Sequence, residues 1–128
     1  MAEQTPILVL VTMQRACARL IRTGADMAML QNRPLMVLHV ARDEGERAPA
    51  INAQVLDYLY ALAGEAGAEM FVLTSDVPVT AMANFSQQHG VGTVLMGSGE
   101  LSRGIAETLS QMLPGIQVQV LEEDATIM

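Results

Sequence analysis

Aromatic residues make up 3% of the chain, and the single cysteine is Cys17. So few aromatics remove the stacking platforms on which binders of single-stranded nucleic acid rely. One cysteine excludes an internal disulfide, and no Cys/His group has metal-ligand spacing. Positive charge is also short: seven Lys and Arg face fourteen Asp and Glu, a formal net charge of -7, with an isoelectric point near 4.6. An acidic surface repels phosphate backbones, so general nucleic-acid binding is not expected. Long apolar runs are missing too. Ile7 to Val11 is far too short to span a bilayer, and Met1 to Gln4 lack the basic start of a secretory signal. These absences lead us to expect a cytoplasmic protein in a reducing compartment, without membrane insertion or a metal.

What the chain does have is apolar bulk. Its 128 residues are 51% hydrophobic, enough for one domain over residues 1–128 with a core that needs no staples. The runs at 7–12, 35–40, 69–74 and 93–97 are nearly continuously apolar, as buried parallel strands are. The run at 116–121, IQVQVL, alternates, which suits an edge strand or one with an exposed face. Helical periodicity fills the intervals. The first helix, from about Gln14 to Leu30, is expected to bury Ala18, Ile21, Ala25, Ala28 and Met29 and to turn Arg15, Arg19 and Arg22 outward. The second, about Ala50 to Glu65, places Val55, Leu56, Leu59 and Leu62 on one side and ends at Gly67. The third spans Pro78 to His89 with Gly90 as its cap, and the fourth spans Ser102 to Leu113 before Pro114-Gly115. Strands alternating with helices in this way imply right-handed crossovers and an α/β three-layer sandwich around a parallel sheet. Ligands of such sheets bind beyond the strands' carboxyl ends.

Candidate chemistry gathers at those ends. Gly97-Ser98-Gly99 follows the fourth strand and leads to Ser102, where backbone N–H groups and a helix start would meet an anion. The simpler reading is a turn followed by an N-cap at Ser102. The spacing matches neither the dinucleotide fingerprint nor the P-loop. His39 is expected at the end of the second strand, as a ligand partner or, more simply, as a half-buried ring bonded to backbone. His89 suits a helix C-terminus. Cys17 sits early in a helix beside Arg15 and Arg19, which favours thiolate, although inert packing explains it as well. Arg15, Arg19, Arg22 and Arg33 form either an anion patch or a solvated face. The ten methionines read as adaptable core filler.

The segments ILVLVT, RLIRTGADMA, PLMVLHV, TSDVPVTAMANFSQQHGVGTVLMGS and QVQVL, taken in order, resemble the universal stress protein family. The opening half is most similar to the stress-protein domain of potassium sensor kinases. This resemblance implies a Rossmann-like fold of the adenine nucleotide alpha hydrolase type. Its five-stranded parallel sheet would run 3-2-1-4-5, usually in a homodimer. ATP-binding members carry Gly, two residues, Gly, nine residues, then Gly and Ser or Thr, together with an Asp after the first strand. Here that motif begins at Gly97 and then meets Glu100, Ser110 and Gln111, so a carboxylate stands where triphosphate oxygens would lie. The aspartate is absent as well, since VTMQ follows the strand. Some sensor-kinase members bind cyclic di-AMP through Ser-x-Ser, twenty residues, then Phe-Thr-Ala-x-Tyr. This chain keeps the spacing, with Thr12 and Gln14 and then Leu35, Met36, Val37 and His39, but it has other residues there.

Together these features point to a non-catalytic regulatory or interaction protein of the stress-response type, with a degenerate ATP-binding motif and no obligatory cofactor. Its partner would be a second copy, a signalling protein or a transporter. The alternative is a nucleotide-sensing module that binds AMP, ATP or another small anion. Its crevice would comprise Thr12, Met13, Gln14, His39, Val40, Gly97, Ser98, Gly99 and Ser102, with the backbone at Thr12 to Gln14, Val40 for the nucleobase and Gly97 to Ser102 for phosphate. An enzyme transferring adenylyl or phosphoryl groups lacks a Walker lysine and a carboxylate pair with a nearby base.

Overall fold

The computed structural model describes residues 5–12, 17–42, 53–98 and 102–121, apart from the side chains of Arg42, Ser102 and Arg103. Strands and helices alternate as β1 (Ile7–Leu10), α1 (Cys17–Gln31), β2 (Leu35–Arg42), α2 (Ala53–Glu65), β3 (Glu69–Ser75), α3 (Pro78–Gln88), β4 (Thr93–Gly97), α4 (Ser102–Met112) and β5 (Gln117–Leu121). The strands form one sheet in the order β3-β2-β1-β4-β5, parallel throughout. This is the α/β architecture expected, and the alternating IQVQVL segment supplies the edge strand β5. Met13, Gln14, Gly99 and Glu100 lie outside the described residues, as do Arg15 and the expected starts of α1 and α2.

Successive side chains of a strand face opposite ways, which divides the core in two. Ile7 and Val9 of β1 pack with Leu20, Ile21, Val37, Leu59 and Leu95 beneath α1 and α2. Leu8 and Leu10 pack with Leu38, Phe85, Val94, Met96 and Leu109 beneath α3 and α4. Burying each such side chain contributes about 1.5–3 kcal/mol. Gly24 lets α1 lie close to the sheet, since a Cβ there would stand 2.6 Å from Val9 Cγ2.

The outward face of α1 differs from expectation at Met29. Its buried residues are Ala18, Leu20, Ile21, Gly24 and Ala28, whereas Met29 is 78% and Leu30 86% exposed. One residue beyond Ala28 is a rotation of about 100°, and that carries Met29 out of the buried stripe. The helix stops where anticipated. Asn32 adopts φ 55°, its N–H bonds Met29 O at 3.3 Å, and the Arg33 N–H bonds Ala28 O at 2.9 Å, the pairing of a left-handed helix terminus. Gly67 (φ 77°) and Gly90 (φ 65°) fill the same role after α2 and α3.

Arg33 belongs to no basic patch on α1. It crosses beneath the amino ends of the central strands, where Nε donates to Thr5 O at 2.8 Å. Nη2 donates to Thr5 Oγ1 at 3.1 Å and to the buried Thr93 Oγ1 at 2.9 Å, while Nη1 donates to Gln31 Oε1 at 2.7 Å. One guanidinium thereby joins the start of β1, the end of α1 and the start of β4. Gly92 leaves it room, because a Cβ there would collide with Thr5 Oγ1 and stand 3.0 Å from Arg33 Nη2.

Candidate functional site: a notch above the shortest strand

β1 ends earlier than its sequence suggests, at Leu10 rather than Thr12, while β2 continues to Arg42 rather than ending at Val40. Leu10 is in register with Leu38 on one side and with Met96 on the other. Beyond that level β2 pairs only with β3, through Arg42 and Ser75, and β4 with β5, through Gly97 and Leu121. The carboxyl edge of the sheet is therefore a notch with Val11 and Thr12 at its floor and two paired ribbons as walls. It falls where the strand order reverses, between β1 and β4, the position at which open α/β sheets bind ligands.

His39 is an interior residue of β2 and does not end it, but it stands just above the end of β1. The half-buried ring places Nδ1 2.9 Å from Val11 O. A carbonyl oxygen only accepts, so Nδ1 carries the proton and Nε2 of the neutral ring is left as an acceptor. Bonding of this histidine to backbone is thus as the sequence suggested. On the same edge of β2 the main chain alternates between neighbours. Leu38 O accepts from the Val11 N–H at 3.0 Å, and Val40, two residues on, aims its N–H and C=O toward the same side, where β1 has ended.

At the floor, the exposed Thr12 N–H donates to Cys17 Sγ at 3.3 Å, with Thr12 Oγ1 3.5 Å from the same sulfur. Cys17 is half-buried rather than fully packed. On the opposite wall, the Ser98 N–H donates to Leu121 O at 3.0 Å and extends the β4–β5 pairing. A Cβ at Gly97 would have only Leu20 Cδ2 within 4 Å, at 3.9 Å. Crowding does not require that glycine, and its absent side chain keeps the rim low for anything approaching the backbone. The structure therefore brings together Thr12, His39, Val40, Gly97 and Ser98. Ser102 opens α4, and its side chain, the expected cap, lies outside the described residues.

Two expectations resolve elsewhere. The His89 ring stacks on Phe85 with centroids 4.0 Å apart, and its Nδ1 donates to Phe85 O at 2.9 Å at the end of α3, as its helix-terminal position implied. Of the methionines, Met70 and Met96 are buried filler while Met29 and Met112 are exposed. Among the described residues, no group of three His, Cys, Asp or Glu side chains could hold a metal ion, and no helix is long and apolar enough to cross a membrane. Sequence reasoning missed the early end of β1, which no composition signal marks, and the tie made by Arg33, whose partners lie far away along the chain.

No protein-family model matches the chain, and no curated protein matches it. Solved structures do. A universal stress protein from Archaeoglobus fulgidus is 19% identical, with a TM-score of 0.69 over 91% of this chain and 92% of that one. A universal stress protein from the same organism, in complex with dAMP, is 20% identical, with a TM-score of 0.68 over 91% of this chain and 96% of that one. A universal stress protein in complex with cAMP is 13% identical, with a TM-score of 0.70 over 96% of this chain and 100% of that one. At these identities the likeness is one of fold: the chain has the five-stranded architecture of the universal stress proteins.

Proposed function

We propose that this chain is a non-catalytic regulatory protein of the universal stress protein kind, acting in the cytoplasm as a homodimer, with a degenerate ATP-binding motif. The observation that carries this reading is the engagement of the Ser98 N–H by Leu121 O. A triphosphate cradle needs successive backbone donors turned toward the ligand. Here the first donor after Gly97 is committed to the sheet, and Glu100 replaces the second glycine of the motif. A carboxylate at that position opposes a triphosphate. In this reading the notch binds and breaks no bond, in keeping with a sequence that has no Walker lysine and no recognisable carboxylate pair with a nearby base. Arg19-Leu20-Ile21-Arg22 further suggests kinship with sensor-kinase domains and a signalling partner.

A second reading is favoured by Val40. One N–H and one C=O of a single residue, side by side and facing the notch, match the acceptor N1 and donor N6 of an adenine edge. The neighbours described in complex with dAMP and cAMP hold monophosphates, the charge class that Glu100 tolerates best. The notch would then sense an adenine mononucleotide.

Thermal unfolding with AMP, cAMP and ATP, alongside phosphate release, tests both readings. A bound nucleotide at ~100 times its dissociation constant adds roughly 2.7 kcal/mol. AMP or cAMP should stabilise the protein more than ATP does, without turnover, and Glu100→Gly should narrow the difference. Tighter binding of ATP by the unaltered protein, or its hydrolysis, would refute the degenerate-motif reading. Indifference to every nucleotide would remove the sensing reading alone.

A further inference from the structure

We infer that the outer face of α1 is a docking surface for an acidic amphipathic helix of a partner protein. This goes beyond the notch and does not depend on what the notch binds. Arg19, Arg22, Asp26, Met29 and Leu30 are all exposed, and at about 100° per residue they fall within one face of the helix. From Arg19 to Leu30 that face runs about 16 Å, from basic to apolar. Met29 and Leu30, at 78% and 86%, are the most exposed large hydrophobic side chains among the described residues.

Their exposure is built in. The Asn32 N–H bonds Met29 O and the Arg33 N–H bonds Ala28 O, with Asn32 in the left-handed conformation, and the Arg33 side chain ties that terminus to Thr5 and Thr93. The two apolar side chains are therefore held outward on a rigid terminus, so a partner covers them without first ordering that segment. Charge selects the partner. Among the residues whose side chains are described, the exposed ionised ones outside α1, Asp57, Glu65, Glu69, Asp76 and Glu107, are acidic. In a chain of net charge -7, an acidic ligand is repelled by those carboxylates and drawn to Arg19 and Arg22, whose two charges outnumber that of Asp26 on the same face. A helix carrying carboxylates beside a short apolar stripe complements both halves of the face.

The probe is a synthetic helical peptide with a leucine stripe flanked by glutamates, titrated into the isotope-labelled protein and followed by amide chemical shifts. Controls are the same peptide with lysines for glutamates, and phosphatidylglycerol vesicles. The expected result is that shifts map to residues 19 to 32 and that affinity falls with salt. Arg19→Glu with Arg22→Glu, and separately Met29→Ser with Leu30→Ser, should each weaken binding about tenfold or more. All four positions are exposed, so both variants should keep the parent circular dichroism. The inference is overturned if the lysine peptide binds equally well, if shifts map elsewhere, if neither variant weakens binding, or if the protein binds the vesicles and not the peptide.

Discussion

The two ends of the sheet follow opposite rules. At the amino end a single guanidinium reaches Thr5, Gln31 and Thr93. The backbone is knitted there as well, through Ile7 N–H to Pro34 O and Gly92 N–H to Pro6 O. At the carboxyl end the bonds are separate and local in space, Thr12 with Cys17, His39 with Val11 and Ser98 with Leu121, while the Val40 N–H and C=O face the notch. Side-chain bonds between separate elements are concentrated at the amino end, which leaves the carboxyl end the freer of the two to vary.

Breaking the amino end should cost most. Arg33→Ala removes several charge-assisted bonds and leaves the buried Thr93 hydroxyl without its donor, so we expect a loss of about 3 kcal/mol. It would be read as a lower urea midpoint at unchanged slope. Arg33→Lys should recover less than half, because an ammonium cannot serve partners in a planar fork. Gly92→Ala presses a methyl group against Thr5 and Arg33 and should cost about 1–3 kcal/mol in the same assay. At the carboxyl end effects should be smaller. His39→Ala deletes one bond to a backbone carbonyl, about 1 kcal/mol. Gly97→Ala has room for its methyl group and should shift the midpoint by no more than about 0.5 kcal/mol, while weakening any nucleotide that approaches the backbone there, as calorimetric titration would show. If Gly97→Ala destabilised as much as Arg33→Ala, the contrast between the ends would fail.

The fold was legible wherever local chemistry and burial agree. Ile7 to Leu10 and Thr93 to Gly97 are largely apolar because both faces of a central parallel strand are covered, and Gly67 and Gly90 mark stops because each takes a positive φ. Alternation in Gln117 to Leu121 disclosed an edge. Met29 was misplaced because Ala28 and Met29 are adjacent, and a periodic pattern read without its phase admits either as the inner residue. The notch was only half legible. Its place follows from topology, and the bond of His39 to backbone was anticipated, but the length of β1 relative to β2 is set by pairing with distant segments. Arg33 looks like any loop arginine until Thr5 and Thr93 meet it.

The uneven strand lengths bear on how such a frame diversifies. The walls of the notch are held by β2–β3 and β4–β5 main-chain bonds that do not depend on which side chains line the gap. A change at the rim would therefore alter what the notch can hold without a matching change in the scaffold. Receptors of unlike chemistry can descend from one architecture by drifting at a few rim positions, their shared ancestry surviving in the path of the backbone after it has faded from the sequence.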